Sequence, residues 1–200
     1  MEKENVLALF DFDGTITTRD TLLDFTRYAL GTPRFLAGML RLAPMLLRFK
    51  LKQISNTQAK EAFLKNFFAG WPEKNFNQKA RKYALEQIDK IVRHKARERL
   101  AAHAGDAIVI VSASLENWLK PWCQKHGYQL IAGKAALSAG TISGKLAGPN
   151  CFGPEKVRRI EQQFRLSDFK SIYAYGDSRG DKEMLELADR AYLNFKKLNV

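Results

Sequence analysis

The sequence predicts an α/β fold of three layers, a mainly parallel sheet between two sets of helices, with an α-helical cap inserted after the first strand. Two observations carry this. Short apolar runs rich in β-branched residues alternate with helical patterns through the second half of the chain, which implies parallel strands covered on both faces. One more such run stands near the start, and the block between it and the next, 20–100, carries only helical patterns. The expected division is a core of 1–17 and 101–200 and a cap of 18–100.

The elements follow in order. Residues 6–10 (VLALF) form an apolar run of five that stops at Asp11, the pattern of a buried strand. Thr32-Pro33 resembles an N-cap followed by proline at the first helical position. Pro44 falls inside the apolar stretch that follows and is expected to kink or split it. Ser55 and Gln58 have the spacing of a capping box, and Gly70 is a natural stop for that helix. A charged helix is expected over 73–94. Residues 107–111 (AIVIV) read as a strand, 115–126 as a helix ended by Gly127, and 129–132 as a short strand. Two alternating segments within 134–146 flank Ala139-Gly140 as a hairpin. Helices over 154–164 and 182–188 and strands over 171–175 and 191–194 complete the chain.

With 200 residues, 46% of them hydrophobic, the chain can bury a core. Cys123 and Cys151 are too few for a disulfide framework and form no C-x-x-C pair, so a reducing, cytoplasmic setting is expected. The start, MEKENVLALFDFDG, breaks into acids too soon for a signal peptide, and no apolar run is long enough to span a membrane. Lys and Arg number 33 against 21 acids, a net charge of +12. That excess points to an anionic partner: phosphorylated substrate, membrane surface or nucleic acid.

Ligands of open parallel sheets bind beyond the carboxyl ends of the strands, and the polar motifs here fall at those ends. Asp11-Phe12-Asp13-Gly14-Thr15 follows the first strand, Ser112-Ala113-Ser114 the second apolar one, and Gly176-Asp177-Ser178-Arg179-Gly180-Asp181 the later one, with Lys156 near the start of the intervening helix. A carboxylate can attack a phosphoryl group and form an acyl phosphate, provided the phosphate's negative charge is neutralised by a cation, a lysine and hydrogen-bond donors. Magnesium takes oxygen ligands, usually one or two carboxylates, and Asp11 and Asp177 suit it. A second carboxylate two residues after the nucleophile, Asp13, can protonate a leaving alcohol and then deprotonate water. Gly14 lets the backbone come close to a phosphate.

The ordered motifs DFDGTIT, VSAS, GPEKVRRI and GDSRGD resemble those of the haloacid dehalogenase superfamily of phosphohydrolases, over about 6–195. The insertion resembles the helical cap of its phosphoserine-phosphatase-like branch. The resemblance implies a Rossmann-like core and a magnesium-dependent phosphomonoester hydrolase acting through an aspartyl-phosphate on a small phosphorylated metabolite. It implies Asp11 as nucleophile and Asp13 as acid/base. Mg2+ would be held by the side chains of Asp11 and Asp177 and the backbone carbonyl of Asp13. Asp181 would support the metal's water shell or orient Lys156. Gly14, Thr15, Ser112, Ala113 and Lys156 would surround the phosphate. True phosphoserine phosphatases often have Ser where Gly14 stands and a Glu near the place of Asp20, and their cap is more polar. These departures leave the catalytic reading intact and count against phosphoserine. Asp20 and Arg27 are the expected substrate-selecting residues.

Arg27, Arg34, Arg41 and Arg48 are seven residues apart, and from Arg27 to Lys60 there are seven basic residues and no acid. Seven-residue spacing keeps side chains near one helix face, drifting about 20° per heptad. With apolar flanks, such a stripe fits an interfacial helix at the inner membrane face, a cap packed on the core with solvated arginines, or a headgroup-binding site. The stretch resembles in composition the cap of phosphatidylglycerophosphatases of the same branch, which makes a lipid-phosphate phosphatase the second reading. A basic protein binding nucleic acid or membrane without turnover is the third. It would not need Asp11, Asp13, Lys156 and Asp177 together. An EF-hand is excluded, because Ile16 and Leu22 stand where it needs Gly and Glu. His94, His103 and His126 show no metal-ligand spacing and are expected to be solvated or helix-terminal; Trp118 and Trp122 are expected in the core.

Overall fold

Strand β1 (Val6–Phe10) lies at the centre of the molecule in a computed structural model that describes residues 5–198. Met1–Glu4, part of the start read above as unlike a signal peptide, and residues 199–200 of the expected core segment lie outside the described residues. Side chains of a strand alternate between faces, and both faces of β1 are buried. Leu7 and Leu9 join one apolar cluster, Ala8 and Phe10 another. That explains a continuous apolar run instead of an alternating one.

The sheet orders β3 (Gln129–Gly133), β2 (Ala107–Leu115), β1, β6 (Ser171–Gly176), β7 (Arg190–Leu193) and β8 (Lys196–Lys197). All pairs are parallel except β7–β8. Strand β2 runs four residues beyond the apolar segment 107–111, because Ser112 and Leu115 still pair with β3 across an irregularity in register. One face of the sheet packs on α8 (Pro154–Gln163) and α9 (Lys182–Glu186) through Ile160, Met184 and Leu185. The other packs on α6 (His94–Ala102) and α7 (Glu116–His126) through Leu100, Trp118 and Trp122. Gly127 closes α7 in the left-handed conformation at φ 74°. Both cysteines are buried and free.

Between β1 and β2 the chain is helical. Helix α1 (Thr21–Leu30) is capped by Asp20, whose carboxylate accepts from the Leu23 amide. Helix α2 (Thr32–Lys50) starts one residue earlier than Thr32 would allow as a cap: Gly31 holds that position at φ 80° and Thr32 is already helical. Nor does Pro44 split α2. An interior proline costs about 3 kcal/mol, but Phe35, Met39, Leu42, Met45 and Leu46 pack on the core along one face and hold the helix together. Helix α3 (Asn56–Phe68) has the Ser55–Gln58 capping box, both bonds present. The helix expected over 73–94 is three pieces. Helix α4 (Glu73–Glu86) and the short α5 (Ile88–Ile91) end before Val92, where Thr17 bridges the backbone and Arg93 donates its amide to Ile16, so the chain turns before α6.

The hairpin β4 (Ala135–Ser138) and β5 (Thr141–Leu146) does not join the main sheet. It packs along α3 and bonds the α3–α4 connection, with Gly70 and Ile142 each donating across. His103 is helix-terminal, as expected, but buried: at the end of α6 it lies between Asp106 and the Tyr175 hydroxyl, 2.9 Å from each.

Candidate active site

The three motif loops meet at the carboxyl edge of β1, β2 and β6. Asp11 is held at the tip of β1 by its amide, which donates to the Tyr175 carbonyl of β6 at 2.9 Å. Lys156, in the first turn of α8, is 2% exposed. Its ammonium donates to Asp11 at 2.6 Å, to Asp181 at 2.6 Å and to the Val111 carbonyl at 2.9 Å. An ammonium buried without partners would cost several kcal/mol; these three acceptors make its position tenable.

Asp181 also orders the loop after β6. Its second carboxylate oxygen accepts from the amides of Asp177 and Ser178 at 3.2 and 3.1 Å and from the Ser178 hydroxyl at 3.0 Å. Gly176 permits this, since a Cβ there would collide with Asp181. Carboxylate oxygens of Asp11, Asp177 and Asp181 all lie within 4.8 Å of one another. Three carboxylates face one ammonium, so the cluster keeps an excess of negative charge, and its all-oxygen donors fit a hard divalent cation.

Electrostatics follow from this crowding. Burial pushes the Asp11 carboxyl up to about 7 against the pull of Lys156, with Asp181 and Asp13 adding like charge. Burial also disfavours the Lys156 ammonium, but Asp11 and Asp181 outweigh it and hold the group above the usual lysine range. Burial raises Asp177 as well, with Asp181 adding to it. A cation in the cluster would favour the charged form of every carboxylate around it.

Asp13 is turned away from that cluster. Its carboxylate accepts from the Thr21 amide at 2.7 Å and from the Ser114 hydroxyl. Trp118 donates its indole N–H to Thr21 Oγ1 at 3.1 Å, and Thr21 Oγ1 lies 3.1 Å from Ser114 Oγ. Ser114 gives its one hydroxyl hydrogen to Asp13 and so can only accept from Thr21, while Trp118 can only donate; the chain therefore has one direction: Trp118 to Thr21 to Ser114 to Asp13. Burial, helped by the charge of Asp20, raises Asp13 to about 6. Ser112 is 1% exposed and accepts from the Ser114 amide at 3.0 Å, which leaves its own hydroxyl hydrogen to give.

A cavity of about 410 Å³ opens over these groups. Asp11, Asp13, Asp20, Ser112, Ala113, Lys156 and Asp181 line its polar side. Leu22, Leu23, Leu46, Phe49, Phe63 and Phe152 line its apolar side. A larger hollow of about 570 Å³ beside Asp89 and Trp122 holds none of the motif residues, so the chemistry belongs to the smaller one. Gly14 and Thr15 stand beside Asp177 instead of lining the cavity. Thr15 Oγ1 donates to its carboxylate at 3.4 Å, and Gly14, at φ +84°, has no room for a Cβ against it. Arg27 is also off the cavity wall, exposed on α1 with its guanidinium donating to the Thr32 hydroxyl at 3.1 Å.

Lys60 is the site residue that the motifs do not reveal. It is buried on α3, lines the cavity, and donates to the Ala113 carbonyl and to Asn150 at 3.3 Å. It makes no ion pair among the described residues, and burial lowers its ammonium to about 8, with Asp13 and Asp20 opposing that fall. Only a buried lysine in an otherwise basic and apolar stretch signals it in the sequence, and burial is a tertiary property.

The chain is similar to several known proteins. Protein CicA of Caulobacter vibrioides is 34% identical over 193 residues, covering 94% of this chain and 86% of its own. A protein of unknown function from Bordetella pertussis Tohama I superposes with a TM-score of 0.80 at 25% identity, over 96% of this chain and 90% of that one. The phospho-aspartyl intermediate analogue of a phosphoserine phosphatase shares the fold, with a TM-score of 0.63 at 19% identity over 96% and 87% of the two chains. The family model described as haloacid dehalogenase-like hydrolase matches residues 8–186, and the chain belongs to that family.

Proposed function

We propose that the protein is a phosphomonoester hydrolase. The observation that carries this reading is the Asp11–Lys156–Asp181 clamp beside Asp177, with Ser112 and Asp13 facing the same cavity. Asp11 attacks phosphorus, forming an oxygen–phosphorus bond as the bond to the leaving alcohol breaks. Asp13 gives that alcohol its proton. In the second half, Asp13 takes a proton from water, the water oxygen attacks the aspartyl phosphate, and inorganic phosphate leaves Asp11 free. Lys156 and the Ser112 hydroxyl balance the charge on the phosphoryl oxygens. Asp11, Asp177 and the Asp13 carbonyl would hold Mg2+, with Asp181 behind them. When bound, the ion neutralises the charge that otherwise repels the phosphate from Asp11.

Lys60 and Asn56, both bonded to Asn150 behind them, give the cavity a second polar end, suited to an anionic group on the substrate other than the reacting phosphate. A small phosphorylated metabolite is the first reading. The apolar wall favours a second, a phosphomonoester with a hydrocarbon portion such as a lipid phosphate. Phosphate release should be measured from p-nitrophenyl phosphate, phosphoserine, sugar phosphates, nucleotides and a phosphatidylglycerophosphate in micelles, with Mg2+ and with EDTA. Mg2+-dependent release that Asp11→Asn lowers by at least roughly 10³-fold, without loss of the folded circular dichroism spectrum, is expected. Full activity in Asp11→Asn would remove it as nucleophile. Release from none of the panel would favour a binding protein.

A further inference from the structure

Helix α2 leaves half its circumference uncovered, and the composition of that half is specific. Of the large hydrophobic residues that are exposed, Leu36, Leu40, Leu47 and Leu51 fall on this half or at its C-cap, with Leu40 77% exposed and Leu36 and Leu47 near 60%. At about 100° per residue, Leu36, Leu40 and Leu47 lie within ~40° of one another. Arg34, Arg41 and Arg48 are all exposed and form a parallel stripe about 120° further round. The remaining face packs on the core. None of the three arginines makes an ion pair among the described residues, and the chain carries no acid between Asp24 and Glu61.

We propose that this face of α2 docks on an anionic lipid bilayer, the leucine ridge entering the headgroup boundary and the arginines meeting lipid phosphates. Two observations choose that occupant. A second copy packed ridge to ridge would cover the leucines but leave the arginines, about 120° away, unmatched, with no acid on α2 to pair them and like charge added on both sides. A nucleic acid would satisfy the arginines but leave the leucines in water, whereas an interfacial helix uses both. Leu46 and Phe49, on the inward side of the same helix, line the cavity over Asp11, so the docking face and that cavity share one helix. The inference concerns binding and does not depend on turnover.

The test is co-sedimentation of the full-length protein with vesicles of phosphatidylcholine alone and of phosphatidylcholine mixed with phosphatidylglycerol. Binding to the mixed vesicles, weakened by salt and much stronger than to the neutral ones, is the expected result. Replacing Arg34, Arg41 and Arg48 by Gln should lower it by about two orders of magnitude, on the order of fivefold per arginine. Replacing the solvent-facing Leu36, Leu40 and Leu47 by Gln should lower it at least tenfold with the fold retained. Absence of binding to the anionic vesicles would overturn the proposal. So would binding indifferent to the leucines, which would be adsorption by charge alone. Self-association abolished by the leucine variant, seen by sedimentation velocity without vesicle binding, would assign the face to a second copy instead.

Discussion

Two side chains at the site gain meaning only from what holds them. Asp13 is fixed by a relay with one direction, and Ser114 is its last link. Ser114→Ala should therefore lower kcat by roughly 10- to 100-fold for an alkyl phosphate, part of the general acid–base contribution. The loss should be smaller for p-nitrophenyl phosphate, whose leaving group needs no proton. Equal losses for both would mean that Ser114 shapes the site without positioning the acid. Lys60 carries its charge below about 8 and loses it above, because burial lowers it from an ordinary 10.5. Its charged form is disfavoured in the fold, so its contribution to stability rises as pH climbs from 8 towards 10.5. For a substrate with a second anionic group, KM should be flat below that point and climb above it. Lys60→Met should start from a higher KM and lack the climb; an unchanged KM profile would detach Lys60 from the substrate. Asp11, Asp13, Asp177, Asp181 and Ser112 were legible in the sequence as site residues because each sits in a short motif at a strand end, and Lys156 because it stands in the first turn of the helix between two of those motifs. Ser114 was legible only as a neighbour of Ser112, since its partner Thr21 comes from 93 residues away.

Elements show the same division between local and distant causes. The Ser55–Gln58 cap, the Gly127 stop and the Ala139-Gly140 turn were readable because each is decided within a few residues. The break between α5 and α6 was not, because Ile16 and Thr17 impose it from the far end of the first motif. Nor could the hairpin's alternation say what it packs on. The structure puts Gly144, at φ +83°, against the backbone of Lys65 on α3, where no Cβ fits. Gly144→Ala should destabilise the protein by roughly 2–3 kcal/mol through strain and overpacking, read from urea unfolding. A change under about 0.5 kcal/mol would show that the hairpin yields without cost.

At the scale of the molecule, the acidic cluster couples folding to the ion it would bind. With Mg2+ at a hundredfold excess over Kd, stability should rise by about 2.7 kcal/mol, a Tm increase of roughly 5–10 °C for a chain of this size. Thermal unfolding without substrate measures it, and Asp177→Asn should lose most of the rise. An equal rise in the variant would move the ion elsewhere. The overall architecture was legible because alternating strand and helix patterns imply a covered parallel sheet. What the pattern left out is that the inserted helices have no core of their own: they share one buried cluster with a face of the sheet.

That shared cluster bears on how such proteins diversify. Phe25 of α1 stacks on Trp118 of α7 at 4.8 Å, and the Trp118 indole also reaches Thr21. A helical segment borrowed from a relative would meet Trp118 with foreign side chains on one side and disturb the line to Asp13 on the other. The unit that can be traded between relatives is therefore the helical segment together with α7, inherited as one piece, while the strand tips bearing Asp11 and Asp177 stay with their own sheet.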